Sequence, residues 1–419
     1  MLAQIAQAEM LITAEPQDAD VVIINTCAFI EPARLEAMET IRQAVAWKRS
    51  GKVRKVIVAG CLPQRVGADL FRQADGIDAV VGLGSRDSIV SVIDETLASG
   101  GPRAYLRPGR SVPDDRVRFP IRPVHSMYLR LSEGCNRRCS LCTIPAIRGR
   151  FRSKPPRLVL AEARQLVSAG AVELNLIGQD ITGYGRDLGR TDALAQLLRR
   201  LERLPKLRWL RLLYLYPSGI TDRLIEAIAA SDKITPYLDM PIQHINDDIL
   251  RLMRRAYNSR KIRSLIEKLR TKIPGVVLRT TLIVGFPGET DARFEQLLDF
   301  IRWARFDALG CFKYYRESGT AAADMPGQVP EHIKDARLER LMLTQQQIAF
   351  TKSRTRLGGT LECLVDSIRP DGCGQGRFYG QAPEIDGVCV IKNCSVPPGS
   401  FVKVKVTDTA GYDLVTEQL

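Results

Sequence analysis

Between residue 127 and Gly359 an apolar, strand-like run followed by a helical one recurs six times, and this repetition constrains the fold more than any other feature of the 419-residue chain. The strand candidates are residues 127–131, 172–177, 207–215, 237–242, 276–284 and 308–314. Strands that return through helices run parallel, and six right-handed crossovers curl such a sheet into a partial barrel. Its chemistry belongs at the carboxyl ends of the strands. Leu194, Leu197, Leu198 and Leu201 recur at i, i+3, i+4, i+7, as do Phe294, Leu297, Leu298 and Ile301, which marks both stripes as core faces.

The flanking sequence differs in pattern. Residues 21–24, 53–58 and 79–81 read as buried parallel strands separated by helices over 32–48 and 88–97, a small α/β domain. Residues 99–123, rich in Pro, Gly and Arg, read as a linker with little secondary structure. After Gly358-Gly359 come short alternating strands: residues 402–406 have period two, and Asp371-Gly372 and Pro397-Pro398-Gly399 are turn signals. A small β-barrel fits this tail. The predicted α/β architecture therefore has three domains, at residues 1–115, 121–355 and 356–419.

Charge and cysteine content narrow the function. The chain carries a formal net charge of +14, yet residues 360–419 hold eight acidic against five basic residues, a net of −3. An acidic tail on a basic body is a poor phosphate binder. No run of 18 apolar residues exists, and the first twenty residues carry Glu9, Glu15, Asp18 and Asp20 in place of a basic leader, so a cytoplasmic protein without a membrane partner is expected. Ten cysteines in such a protein point to metal or redox chemistry, because the cytosol keeps thiols reduced.

The decisive motif is Gly134-Cys135-Asn136-Arg137-Arg138-Cys139-Ser140-Leu141-Cys142, directly after the first barrel strand. Three thiolates at these gaps can hold three irons of a cubic 4Fe-4S cluster and leave the fourth open. A tetrahedral zinc site would need a fourth ligand, and no further Cys or His follows nearby. Gly178-Gln179-Asp180, Gln243-His244 and Gly285-Phe286-Pro287-Gly288-Glu289 end the second, fourth and fifth strands, where a ligand would be positioned. The run Arg148-Gly149-Arg150-Phe151-Arg152 can meet carboxylates or line a solvated loop. Asn25-Thr26-Cys27 and Ala59-Gly60-Cys61 each end a buried strand, so two thiols are presented at one edge.

The Cys-x3-Cys-x2-Cys motif at a barrel mouth resembles the radical S-adenosylmethionine (SAM) superfamily. With Cys27 and Cys61 added, the chain resembles the methylthiotransferases. Tyr237-Leu238-Asp239-Met240-Pro241-Ile242-Gln243-His244, Gly310-Cys311-Phe312-Lys313-Tyr314, Gln345-Gln346-Gln347 and Ala382-Pro383-Glu384-Ile385-Asp386-Gly387 are similar to the RimO branch of that family, and the terminal barrel is similar to a TRAM domain. The resemblance implies the following. Cys135, Cys139 and Cys142 hold the radical-generating cluster; reductive cleavage of bound SAM yields a radical that abstracts hydrogen. Gly178, Gln179, Asp180, Gln243, His244, Gly285, Gly288 and Glu289 border the SAM site, and Cys27 and Cys61 belong to a second 4Fe-4S cluster that handles sulfur. One SAM is the radical source and another the methyl donor for methylthiolation of an aspartate β-carbon in a small-subunit ribosomal protein. Partners are that protein or the ribosome, an electron donor such as flavodoxin or ferredoxin, and a sulfur donor; Glu384 and Asp386 face the basic substrate.

Two departures accompany the resemblance. The family's third amino-terminal cysteine, in a Gly-Cys motif after an earlier strand, has no counterpart before Cys27, so a truncated start is expected. Leu141 stands where many superfamily members have an aromatic residue. The alternatives are a transfer-RNA methylthiotransferase of the MiaB type, and a metal-stabilised ribosome-binding protein without catalysis.

Overall fold

A computed structural model describes residues 1–109, 112–119 and 124–419. Its contacts divide the chain into two compact units: Met1–Ile121 with Glu133–Arg152 and Tyr315–Ala323, and the remainder of the barrel together with the carboxyl-terminal domain.

The first unit is built on a parallel sheet β1-β2-β3-β4, comprising Val21–Thr26, Lys55–Gly60, Ala79–Val81 and Arg103–Tyr105. The helices Glu31–Arg49 and Ile89–Ala98 supply two apolar clusters, one around Ile41, Val56 and Val58 and the other around Ile57, Ala79 and Ile89. β4 corrects the sequence reading of 99–123 as a linker. Its three residues are too few for a periodic signal, but the backbone of Arg103–Tyr105 completes the ladder with β3. Residues 110, 111 and 120–123 of that segment, and with them the boundary placed at 121, lie outside the described residues.

The second unit contains the barrel strands β5 (Ser126–Arg130), β6 (Glu173–Ile177), β7 (Trp209–Leu212), β8 (Ile234–Asp239), β9 (Val277–Val284) and β10 (Ala308–Lys313). They are hydrogen-bonded in sequential order, all parallel, with β5 and β10 at the two edges. Alternation decides what each face carries. Leu129, Leu174, Leu176, Leu210, Leu212, Leu238, Leu278 and Leu282 join the main core, which also contains both predicted helix stripes. The opposite face combines a small apolar cluster of Tyr128, Ile177, Tyr237 and Val277 with the polar side chains of Ser126, Glu173, Asn175, Arg211, Asp239 and Arg279, which make the interior polar.

The tail forms a closed five-stranded barrel, β11-β12-β13-β15-β14, from Thr360–Ile368, Gly374–Phe378, Cys389–Lys392, Phe401–Ala410 and Asp413–Gln418. Val402, Val404 and Val406 point inward as their period predicts. This domain is tied to the barrel interior by ions. Glu173 of β6 accepts from Arg211 Nε at 2.9 Å and from Arg377 Nη2 of β12 at 2.8 Å, and Arg377 also holds Asp366. Tyr237 donates to Asp386 at 2.6 Å.

Candidate active site

In the first unit the register pairs Thr26 with Gly60, so Cys27 and Cys61 leave adjacent parallel strands at the same level. Thr26 Oγ1 donates to Ala59 O at 2.8 Å and accepts the Leu62 N–H at 3.3 Å, which locks the two strand ends together. Gly60 has φ +103, and a Cβ there would lie 2.7 Å from Thr26 O. Only glycine fits that crossing. Burial pushes the Cys61 thiol up; Arg148 opposes this and Cys27 adds to it. Glu317, buried, holds Arg34 and Arg65 and accepts the Glu31 N–H at 2.6 Å, while Arg65 donates to Ala28 O at 2.7 Å, so the loop after Cys27 and the helix after Cys61 share one anchor.

The same unit contains the loop with Cys135, Cys139 and Cys142. Gly134, at φ +78, brings it against the backbone of Gly149 and Arg150, where a Cβ would lie 2.3 Å from Arg150 O. The Arg137 N–H donates to Cys135 Sγ at 3.4 Å and the Cys142 N–H to Cys139 O at 3.2 Å. Further along, Arg148 donates to Glu133 at 2.6 Å and to Cys61 Sγ at 3.4 Å, so one guanidinium joins the two cysteine regions. None of the ten cysteines is in a disulfide, and among the described residues no three Cys, His, Asp or Glu side chains enclose a single-ion site. Three thiols on one loop, with an amide donor aimed at sulfur, have the chemistry an iron-sulfur cluster requires, since such donation favours the thiolate.

The strand ends of the second unit sort the remaining predicted residues. Gly178 lies so close to Ser132 that a Cβ would come within 2.5 Å of its Oγ. Gln179 Oε1, Gln243 Oε1 and Ser132 Oγ are buried without a hydrogen-bond partner. Such atoms demand partners, and three of them at the carboxyl ends of barrel strands suit a polar ligand such as the methionine part of SAM. Gln243 has φ +75, a strained backbone for a residue with a side chain.

Asp180, His244 and Glu289 are hydrogen-bonded within the protein. Asp180 is committed to its own turn, accepting from Thr182 N at 3.0 Å and Thr182 Oγ1 at 2.5 Å. His244 and Glu289 are fully buried and bonded to each other at 3.1 Å; the other Glu289 oxygen accepts from Gly285 N at 2.9 Å and Arg337 Nη1 at 2.8 Å. They build the Gly285–Glu289 loop from beneath, where a carboxylate is stabilised only by such partners. Gly285, at φ +72, passes 2.3 Å from Lys334 Cγ as measured to a Cβ placed there, and the Gly288 N–H donates to Gly327 O at 2.9 Å. Asp386 is likewise turned inward, its side chain 8% exposed and close to Arg279, so its charge serves the barrel and not a partner surface; Glu384 is exposed.

Family models match the chain in three segments. One described as the radical SAM superfamily covers residues 129–301, one described as uncharacterized protein family UPF0004 covers 1–82, and one described as a TRAM domain covers 357–419. Proteins named ribosomal protein uS12 methylthiotransferase RimO align with the whole of this chain and 94% of their own length, at 43% identity in Geobacter sulfurreducens and 42% in Geotalea uraniireducens. The chain belongs to the RimO family of radical SAM methylthiotransferases. Among solved structures, the radical SAM methyltransferase TsrM from Kitasatospora setae matches with a TM-score of 0.54 at 16% identity, over 73% of this chain and 63% of that one, a likeness of fold alone.

Sequence reasoning missed several residues that this RimO-family chain places inside its barrel: Glu173, Arg211, Asp239 and Arg279. Each is a charged residue in an otherwise apolar strand, and that interruption is the signal that could have found them. Arg148 stands in a basic run of the sequence, and nothing in its spacing points to Cys61.

Proposed function

We propose that the chain methylthiolates a carboxylate-bearing side chain, the β-carbon of an aspartate, in small-subunit ribosomal protein uS12, the substrate in its relatives' name. The observation that carries this reading is the grouping of two cysteine sets in one compact unit, Cys27 with Cys61 and Cys135 with Cys139 and Cys142. A reaction that inserts sulfur and removes hydrogen needs two such sites. Cys135, Cys139 and Cys142 would hold a 4Fe-4S cluster, and Cys27 and Cys61 would contribute to a second. The cluster and SAM, when bound, supply a radical able to take hydrogen from an unactivated C–H bond.

The protein's own share is placement. Gln179, Gln243 and Ser132 offer acceptors and a hydroxyl to the cofactor, Gly178 and Gly285 let Ser132 and Lys334 pack against the strand ends, and the His244–Glu289–Arg337 cluster keeps the loop in register. The domain limits 1–115, 121–355 and 356–419 fit this division of labour. The acidic carboxyl-terminal barrel suits a Lys- and Arg-rich protein better than RNA, through Glu384 and the other exposed acids. A cytoplasmic setting fits a ribosomal substrate, and among the described residues no helix is long and apolar enough to cross a membrane. Electron and sulfur donors complete the reaction, with flavodoxin or ferredoxin in the first role.

The test is anaerobic incubation of the iron- and sulfide-reconstituted chain with SAM, a reductant, and either recombinant uS12 or bulk transfer RNA. A methylthio mass on a uS12 aspartate is expected. The same mass on transfer RNA alone refutes the assignment in favour of the MiaB-type activity, and no 5′-deoxyadenosine at all refutes radical chemistry.

A further inference from the structure

Tyr214 follows β7 at the carboxyl end of the barrel and has φ +60. A residue with a side chain is rarely found there without cause, because its Cβ crowds the backbone. Its surroundings hold it in place from both sides. Its N–H donates to Asp239 Oδ2 at 3.2 Å, its carbonyl accepts from Ile181 N at 3.2 Å, and the Leu215 N–H donates to Asp239 O at 2.8 Å. Glycine would occupy this conformation without strain. A tyrosine is therefore kept against the local backbone preference.

Packing alone does not account for the strain, since Tyr214 is 48% exposed and only half-buried. The residue is instead tied through its N–H to Asp239, which with Arg279 forms the charged pair of the polar interior. Arg279 is already engaged, donating to Asp239 at 2.8 Å and standing 3.7 Å from Asp386. A carboxylate entering here meets two carboxylates and a guanidinium they already share. It needs a neutral donor.

We infer that Tyr214 is a specificity-determining residue that donates its phenolic hydrogen to the carboxylate of the substrate aspartate at the barrel mouth. This rests on the reading of the chain as an aspartate methylthiotransferase. Burial and Asp239 together raise the phenol above its usual range, against the pull of Arg279, so the group is protonated and able to donate at neutral pH. Neither the Cys-x3-Cys-x2-Cys motif nor the glycine loops mark this position, which lies within the strand-like run 207–215.

The experiment compares the reconstituted full chain with its Tyr214→Phe and Tyr214→Gly variants. Recombinant uS12 and a uS12 variant with the target aspartate changed to asparagine serve as substrates. The parent should prefer the aspartate form. In Tyr214→Phe, kcat/KM for that form should fall about tenfold or more, the effect of losing one hydrogen bond to a charged group, and the aspartate-to-asparagine preference should shrink toward one. Tyr214→Gly should lose the same preference while its Tm rises, because the positive φ is then relaxed. An unchanged preference in Tyr214→Phe overturns the inference, and so does a lowered Tm in Tyr214→Gly, which would make the ring a packing element. A parent that modifies neither substrate refutes the methylthiotransferase reading itself, and the inference falls with it.

Discussion

Replacing Glu173 by Gln tests whether ions buried in the barrel interior hold the terminal domain in place. Glu173 is fully buried and neutralises two guanidiniums, Arg211 at 2.9 Å and Arg377 at 2.8 Å, while accepting from Ser126 Oγ at 2.8 Å. Glutamine keeps the shape and removes the charge. Arg211 then loses its carboxylate while Arg377 keeps Asp366, and losing one partner of a buried pair costs about 3–5 kcal/mol. Because a chain of several domains does not unfold in one step, hydrogen exchange is the suitable assay. A loss of ~3 kcal/mol corresponds to about a 150-fold faster exchange of the β6 and β12 amides that open with this interface. Adding Arg211→Met should recover part of the loss, since it removes the uncompensated cation. Exchange within about fivefold of the parent in Glu173→Gln would refute the reasoning. The sign in pH follows from the same geometry. Burial raises the carboxyl, but Arg211 and Arg377 outweigh it and the net shift is downward. The stabilisation is therefore complete above the unfolded value of about 4.3 and is lost as pH falls through the lower folded value.

Three further outcomes are expected. Cys139→Ala should abolish 5′-deoxyadenosine formation, followed by chromatography under reducing conditions; formation at the parent rate would remove Cys139 from the cluster. The Cys27→Ala, Cys61→Ala double variant should stop methylthio insertion while 5′-deoxyadenosine still forms, and equal methylthio product by mass spectrometry would sink the assignment of those thiols to sulfur handling. Gln179→Leu and Gln243→Leu should each weaken SAM binding about tenfold, the worth of one hydrogen bond to a charged group, by equilibrium dialysis; unchanged affinity in both would mean that their buried oxygens serve something else.

The sequence by itself determined the parts that depend on local pattern. Strand–helix alternation placed all six barrel strands, the period-two run at 402–406 placed an inward-facing strand, and the spacing of Cys135, Cys139 and Cys142 put three thiols on one loop, because pleat, helix turn and loop spacing are all short-range geometry. What only tertiary structure decided depends on residues far apart in the chain. β4 exists because β3 offers it an edge, not because Arg103–Tyr105 has a strong strand pattern. Asp386 resembles a surface acid in its turn sequence, yet Tyr237, 149 residues earlier, draws it inside. Arg148 meets Cys61 across 87 residues, and Glu289 finds Arg337 across 48. A buried charge is stable only where a partner of opposite sign or a donor reaches it. Sequence spacing does not encode such meetings, so the fold had to bring these groups together before their roles could be read.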